Sequence, residues 1–132
     1  MVSSYNLGAV RTTDDANIKI FGFTYQESDD YTPFELGGVD YQVPTSKQLV
    51  VSVITIKSSW TTSNNLAMGY ADDTTGTNWV QLVNEGAIQP VSATYHSCEL
   101  PLIVPASKYP LIKQIQAGQG IYGSAAGLLE TV

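Results

Sequence analysis

Three observations predict an all-β fold, an antiparallel β-sandwich or jelly roll of about seven to nine strands. No window places apolar residues at i, i+3, i+4 and i+7 behind a capping box. Short runs rich in Val, Ile, Thr, Tyr and Phe recur instead, separated by Gly, Pro, Asn, Asp and Ser. Their spacing, about 10 to 18 residues, is that of a sandwich. The 132 residues suffice for one domain that buries roughly two thirds of its unfolded surface without a disulfide or metal staple.

Residues 1–13 read as an extended N-terminal arm, and 14–132 as one β-sandwich domain. Residues 17–25 form the first strand, with Ile18 and Ile20 on one face and Phe21, Phe23 and Tyr25 on the other. Two apolar faces predict burial on both sides or a phase-shifting bulge near Gly22. Residues 39–43 follow the turn-forming pair Gly37-Gly38. Residues 48–57 carry Leu49, Val51 and Val53 alternating with Val50, Ile54 and Ile56, the pattern of a central strand buried on both faces. Shorter strands are expected at 66–71, 78–83, 99–104, 111–116 and 120–125. Turn chemistry separates several of them, at 63–65, 72–76 and 84–86. No internal repeat is visible, which argues against a propeller or β-helix.

Charge narrows the function. Only 14% of residues are charged, and twelve acids against six basic residues leave a net charge of −6. That balance excludes a basic stripe for nucleic-acid phosphates. Apolar runs of two or three residues cannot span a membrane as a helix, and Met1-Val2-Ser3-Ser4 lacks the start of a signal peptide, so synthesis in a host cytoplasm is expected. From 114 to 132 the only charge is Glu130. Such a tail is either a packed strand of its own sheet or a surface buried by a partner, since interface cores deplete charge.

Catalytic signals are poor, and no enzyme is expected. With one Cys and one His, the only candidate thiolate–imidazole pair is Cys98 with His96, which share a face if their strand alternates regularly. No G-x-S-x-G elbow and no facing carboxylate pair is evident. The loop Asp72-Asp73-Thr74-Thr75-Gly76-Thr77-Asn78 offers oxygen ligands but lacks EF-hand spacing, so a solvated turn is expected over a cation site. No cofactor is expected. Trp60, Tyr70, Trp79 and Tyr95 could serve a sugar platform, though Trp79 in its strand pattern reads as core.

Two segments resemble small β-sandwich structural proteins of tailed phages. One is Met68-Gly69-Tyr70-Ala71-Asp72-Asp73 with Gly76-Thr77-Asn78. The other is Leu102-Ile103-Val104-Pro105-Ala106-Ser107-Lys108-Tyr109-Pro110-Leu111, an apolar strand, a turn and a second strand. The resemblance covers roughly 66–127. Within that group, size and acidity are similar to those of capsid cement, or decoration, proteins. The resemblance implies a jelly-roll-like protein, often trimeric, on the outer capsid surface of a virion. It implies the major capsid protein as partner and stabilisation by bridging its subunits, with no nucleic acid or membrane involved. It supplies no motif of binding residues. The alternative is a carbohydrate- or receptor-binding module of a phage tail or secreted enzyme.

Contacts are expected at the two ends. Tyr5, Leu7 and Val10 would anchor the arm, and Ile121, Tyr122, Leu128 and Leu129 the tail. Each buried large side chain contributes roughly 1.5 to 3 kcal/mol, against about 1 to 2 kcal/mol per ordered backbone residue. Thirteen arm residues with three anchors therefore need a sheet, their own or a neighbour's, to dock on.

Overall fold

The computed structural model describes residues 17–24, 31–58, 64–88, 93–114 and 121–132. Within them the chain is all-β and forms ten strands: β1 Ile18–Thr24, β2 Tyr31–Pro33, β3 Glu35–Leu36, β4 Val39–Asp40, β5 Lys47–Ser58, β6 Asn64–Ala71, β7 Val80–Ile88, β8 Ala93–Val104, β9 Tyr109–Gln114 and β10 Ile121–Thr131. They make two antiparallel sheets, one of six strands in the order β4-β3-β1-β10-β5-β8 and one of four in the order β2-β9-β6-β7.

The sheets pack face to face because period-two side chains give each an apolar inner face. Phe21 and Phe23 of β1, Leu49, Val51 and Ile54 of β5, and Ala125 of β10 meet Met68 of β6 and Ile112 of β9 in one core. Phe34 is fully buried where the chain crosses from the four-stranded to the six-stranded sheet. Its ring lies 5.4 Å from Phe21 and 5.8 Å from Phe23, and Tyr41 lies 4.9 Å from Phe21, within the range of favourable aromatic pairs. The crossover backbone stays satisfied: Phe34 N donates to the Pro110 carbonyl at 3.0 Å, and the Phe34 carbonyl accepts from Tyr41 N at 2.8 Å. Burial of the Tyr41 phenol raises its pKa above the ordinary tyrosine value.

Several expectations need correction. The first strand has neither two-sided burial nor a bulge. It pairs with β10 in unbroken register, turning Phe21 and Phe23 inward and leaving Ile18 and Ile20 on the exposed outer face. In β5 the irregularity lies between Val51 and Val53, so Leu49, Val51 and Ile54 share the core side. Val50 and Val53 are half-buried and Ser52 is exposed, so β5 is not buried on both faces. Residues 84–86 continue β7 rather than turning, and Asn64 and Asn65 begin β6. β2 and β3, two or three residues each and split by Phe34, escaped the sequence pattern. The turn at Gly37-Gly38 stands: both φ angles are positive, +63° and +81°, the type I′ geometry of a two-residue hairpin.

The tail is a packed strand of its own sheet. β10 runs between β1 and β5, hydrogen-bonded on both sides. Its Gly123-Ser124-Ala125-Ala126-Gly127 stretch has small side chains that suit close approach. A Cβ at Gly127 would lie 2.8 Å from the Val50 carbonyl oxygen, so glycine is required beside the β5 irregularity.

Candidate interaction face

The outer face of the six-stranded sheet carries an apolar patch that no described residue covers. Register sets Ile18 opposite Leu128 and Ile20 opposite Ala126, then Leu128 opposite Val50 and Val50 opposite Ile103. Ile20 is 69% exposed, and Ile18, Leu128 and Ile103 are each about 40% exposed. A shallow groove of about 560 Å³ runs through this face, lined by Asn17 and Ile18 of the β1 side, Ser52 of β5, and the Ala126–Leu129 stretch of β10. Here small residues of β10 lie beside the irregular stretch of β5, where Ser52 Oγ donates to the Ala126 carbonyl at 3.3 Å. Among the described residues no charged side chain lines the groove. At its end the charges already have partners: Gln48 Nε2 donates to Glu130 Oε1 at 3.0 Å, and Lys47 Nζ to Thr131 Oγ1 at 2.9 Å.

The outer face of the four-stranded sheet is apolar too, but the chain covers it. Met68 and Ile112 pair on the core side, which places their neighbours Gly69 and Leu111 outside. Leu111 is nonetheless 0% exposed. Residues 72–79 fold back over this surface. The Trp79 indole lies over Gly69, where a Cβ would come within 2.9 Å of it, and meets Tyr31 edge-on at 5.3 Å. Gly76, at φ +91°, fits under the Tyr31 ring, where a Cβ would be 2.4 Å away. Lys113 Nζ sits 5.5 Å from the centre of that ring. Trp79 is therefore half-buried in the covering loop, not in a strand as expected.

The acids of this loop hold its shape. Asp73 Oδ1 accepts from Thr75 N at 3.0 Å, Thr75 Oγ1 at 2.8 Å and Thr77 N at 3.1 Å, while Oδ2 accepts from Thr77 Oγ1 at 2.7 Å. These bonds, the Thr77 side chain first, hold its carboxyl far below the ordinary aspartate range. Asp72 pairs with Lys108 and accepts from Asn78 Nδ2 at 2.7 Å, and both lower its pKa. Carboxylates so occupied by their own loop have few lone pairs left for a cation. Among the described residues no three His, Cys, Asp or Glu side chains come together.

Of the residues expected to make contacts, Leu128 lies on the uncovered face, and its neighbour Leu129 turns the other way and packs against the core. Ile121 and Tyr122 begin β10, with side chains outside the described residues, as are Tyr5, Leu7 and Val10 entirely. Ile18, Ile20 and Ile103 complete the face and were missed as contacts. The signal for Ile18 and Ile20 was present in the second apolar face of residues 17–25, which pointed to burial on both sides or to a bulge near Gly22. His96 registers with Ile54, but 98–101 have no register partner on β5, so the alternation that would set Cys98 beside His96 ends at Ser97. Trp60 lies outside the described residues, as does the Tyr95 side chain, and Tyr70 packs against the core.

These features define a β-sandwich with one outer face that the chain covers itself and one that no described residue covers. Comparison with known protein families, curated proteins and solved structures finds no match.

Proposed function

We propose that this protein is a non-enzymatic structural protein of a tailed-phage virion. It binds the outer surface of an assembled capsid and stabilises it by bridging major capsid subunits, as a homo-oligomer with a trimer favoured. The observation that carries the reading is the apolar patch on β1, β10, β5 and β8, which no described residue covers and no described charge lines, on a chain of net charge −6. An apolar patch left open on an otherwise polar surface marks a contact with protein. The negative charge suits the outside of a shell and not its DNA-facing side.

The proposal includes the finer architecture. β1 pairs with β10, β2 with β9, β5 with β8 and β6 with β7. These four pairs nest around the β6–β7 turn as one long ribbon does when it wraps into a jelly roll, an architecture of capsid and lectin domains. Architecture alone does not assign function, and among the described aromatics Trp79 and Tyr70 are already engaged, so no observation favours the sugar-binding alternative.

The mechanism is adhesion. A protein that touches several subunits at once presents each weak contact at high effective concentration. Binding only the assembled shell then stabilises that state by mass action. The test is co-sedimentation of the purified protein with assembled shells that lack it. Wild type should saturate them at a fixed ratio, and Ile20→Asp and Leu128→Asp should lose binding while Val39→Asp, on the β3–β4 hairpin, keeps it. Equal binding by all four proteins removes the proposed face, and no binding by wild type removes the capsid reading.

A further inference from the structure

We infer that the partner meets the patch on β1, β10, β5 and β8 face on, with an apolar and uncharged side-chain surface of its own, and adds no strand to this chain's sheets. That the partner is a shell protein rests on the capsid reading; the chemistry of the surface it presents is read from the patch.

Charge points to such a surface. The chain carries a net charge of −6, yet among the described residues no charged side chain lines the groove. A basic partner surface would be matched by acids at the contact. Here one row of the sheet runs Ile18, Leu128, Val50 and Ile103 instead. Glu130, one row beyond Leu128 on β10, already accepts from Gln48. A charge carried into this patch would lose its water and find no opposite charge.

The strand edges close off the other mode. Strand addition needs a long, regular and unguarded edge, and none is offered among the described residues. β4 has two residues, and β2 has three, the last of them Pro33. β7 slips its register against β6 twice, which leaves Leu82 and Glu85 without opposite residues. β8 loses its register with β5 over 98–101, a stretch that ends in Pro101, which has no N–H to donate. β3 reaches β1 only at Gly22, and the free edge before it carries Lys19 on the same side as Phe21, an inward charge that opposes a neighbouring strand.

Size sets the role of a single patch. It crosses four strands at about 4.8 Å spacing and is four or five residues tall, roughly 200 to 300 Å². A stable dimer takes about 800 Å² from each partner, so a second copy seated here falls well short. A small apolar contact repeated over a lattice matches it, because valency then supplies the affinity.

The test uses full-length wild-type protein and assembled shells that lack it. Half-saturating concentrations are measured by co-sedimentation at about 0.1 and 1 M NaCl, between which the screening length falls from about 10 to about 3 Å. An uncharged contact should shift by less than about twofold, and a weakening of about tenfold or more overturns the uncharged partner. Hydrogen exchange then compares shell-bound with free protein. Amides on the open side of β7 and at 98–101 should exchange equally fast in both, and new protection there on binding overturns face-on docking. Either of these failures leaves the capsid reading standing. No binding by wild type at either salt overturns that reading and the face-on contact together.

Discussion

On the outer face of the four-stranded sheet Leu111 is fully buried beside Gly69, over which Trp79 lies, whereas on the outer face of the six-stranded sheet Ile20 keeps 69% of its surface exposed. Both faces are apolar strand surfaces on the same sandwich. One is covered by a loop that Asp73 ties down with four hydrogen bonds, and by an indole that fits only because position 69 has no side chain. An apolar residue contributes to folding only by the area it removes from water. The covered face therefore stabilises the fold, and the uncovered one is available to stabilise a complex.

The largest expected effect is on the covered side. Leu111→Ala should destabilise the protein by about 2 to 5 kcal/mol, the range for emptying a buried leucine site. Urea denaturation measures it, and a loss below about 0.5 kcal/mol, ordinary for surface positions, means that the face is not covered in solution. Gly69→Ala comes next, because the new Cβ would stand 2.0 Å from the Val80 carbonyl oxygen and 2.9 Å from Trp79. Overpacking of this kind costs about 1 to 3 kcal/mol. A melting curve identical to wild type would contradict the close approach of β6 and the loop.

The acid limb of stability sharpens the comparison further. Asp73 has a folded pKa below its ordinary 3.8, so the unfolded chain binds its proton first as pH falls. Its contribution is complete above about pH 4 to 5 and is lost progressively as the pH drops through the folded value. Asp73→Asn should flatten that part of the curve and leave the uncovered face untouched. Unfolding midpoints from pH 2 to 6 for both proteins check it, and parallel curves would remove Asp73 as the clamp. The smallest effect belongs to Ile20→Ala, expected within about 0.5 kcal/mol of wild type because little area changes hands. A loss like that of Leu111→Ala would show that the six-stranded face is covered in the free protein by something that contributes to folding.

Strand content was legible from local pattern. The best strand at 48–57, the Gly37-Gly38 turn and the low-charge tail all rest on propensities that act over a few residues, and each has its counterpart in β5, the β3–β4 hairpin and β10. The candidate face was legible in part. Leu128 stood out through the uncharged tail, whereas Ile18 and Ile20 were assigned to burial because an apolar side chain in a strand carries no mark of which face meets the other sheet.

Alternation by itself determined which residues lie together: Ile18 with Ile20, and Phe21 with Phe23. Only the tertiary structure decided which set goes inside. The cause is non-local, since the four-stranded sheet packs against the phenylalanine side of β1, and nothing among the described residues packs over the isoleucine side. The irregularity in β5 is of the same kind. Local sequence shows Leu49, Val51 and Val53 in step, but pairing with both β10 and β8 inserts Ser52 and turns Ile54 to the core in place of Val53. Gly69 and Leu111 carry no local sign of being covered either. Their burial depends on a loop that begins one residue after β6, reverses, and returns an indole to the strand it has just left. Period-two geometry acts between neighbours in sequence and was readable there, whereas covering a face needs surfaces brought together from distant parts of the chain.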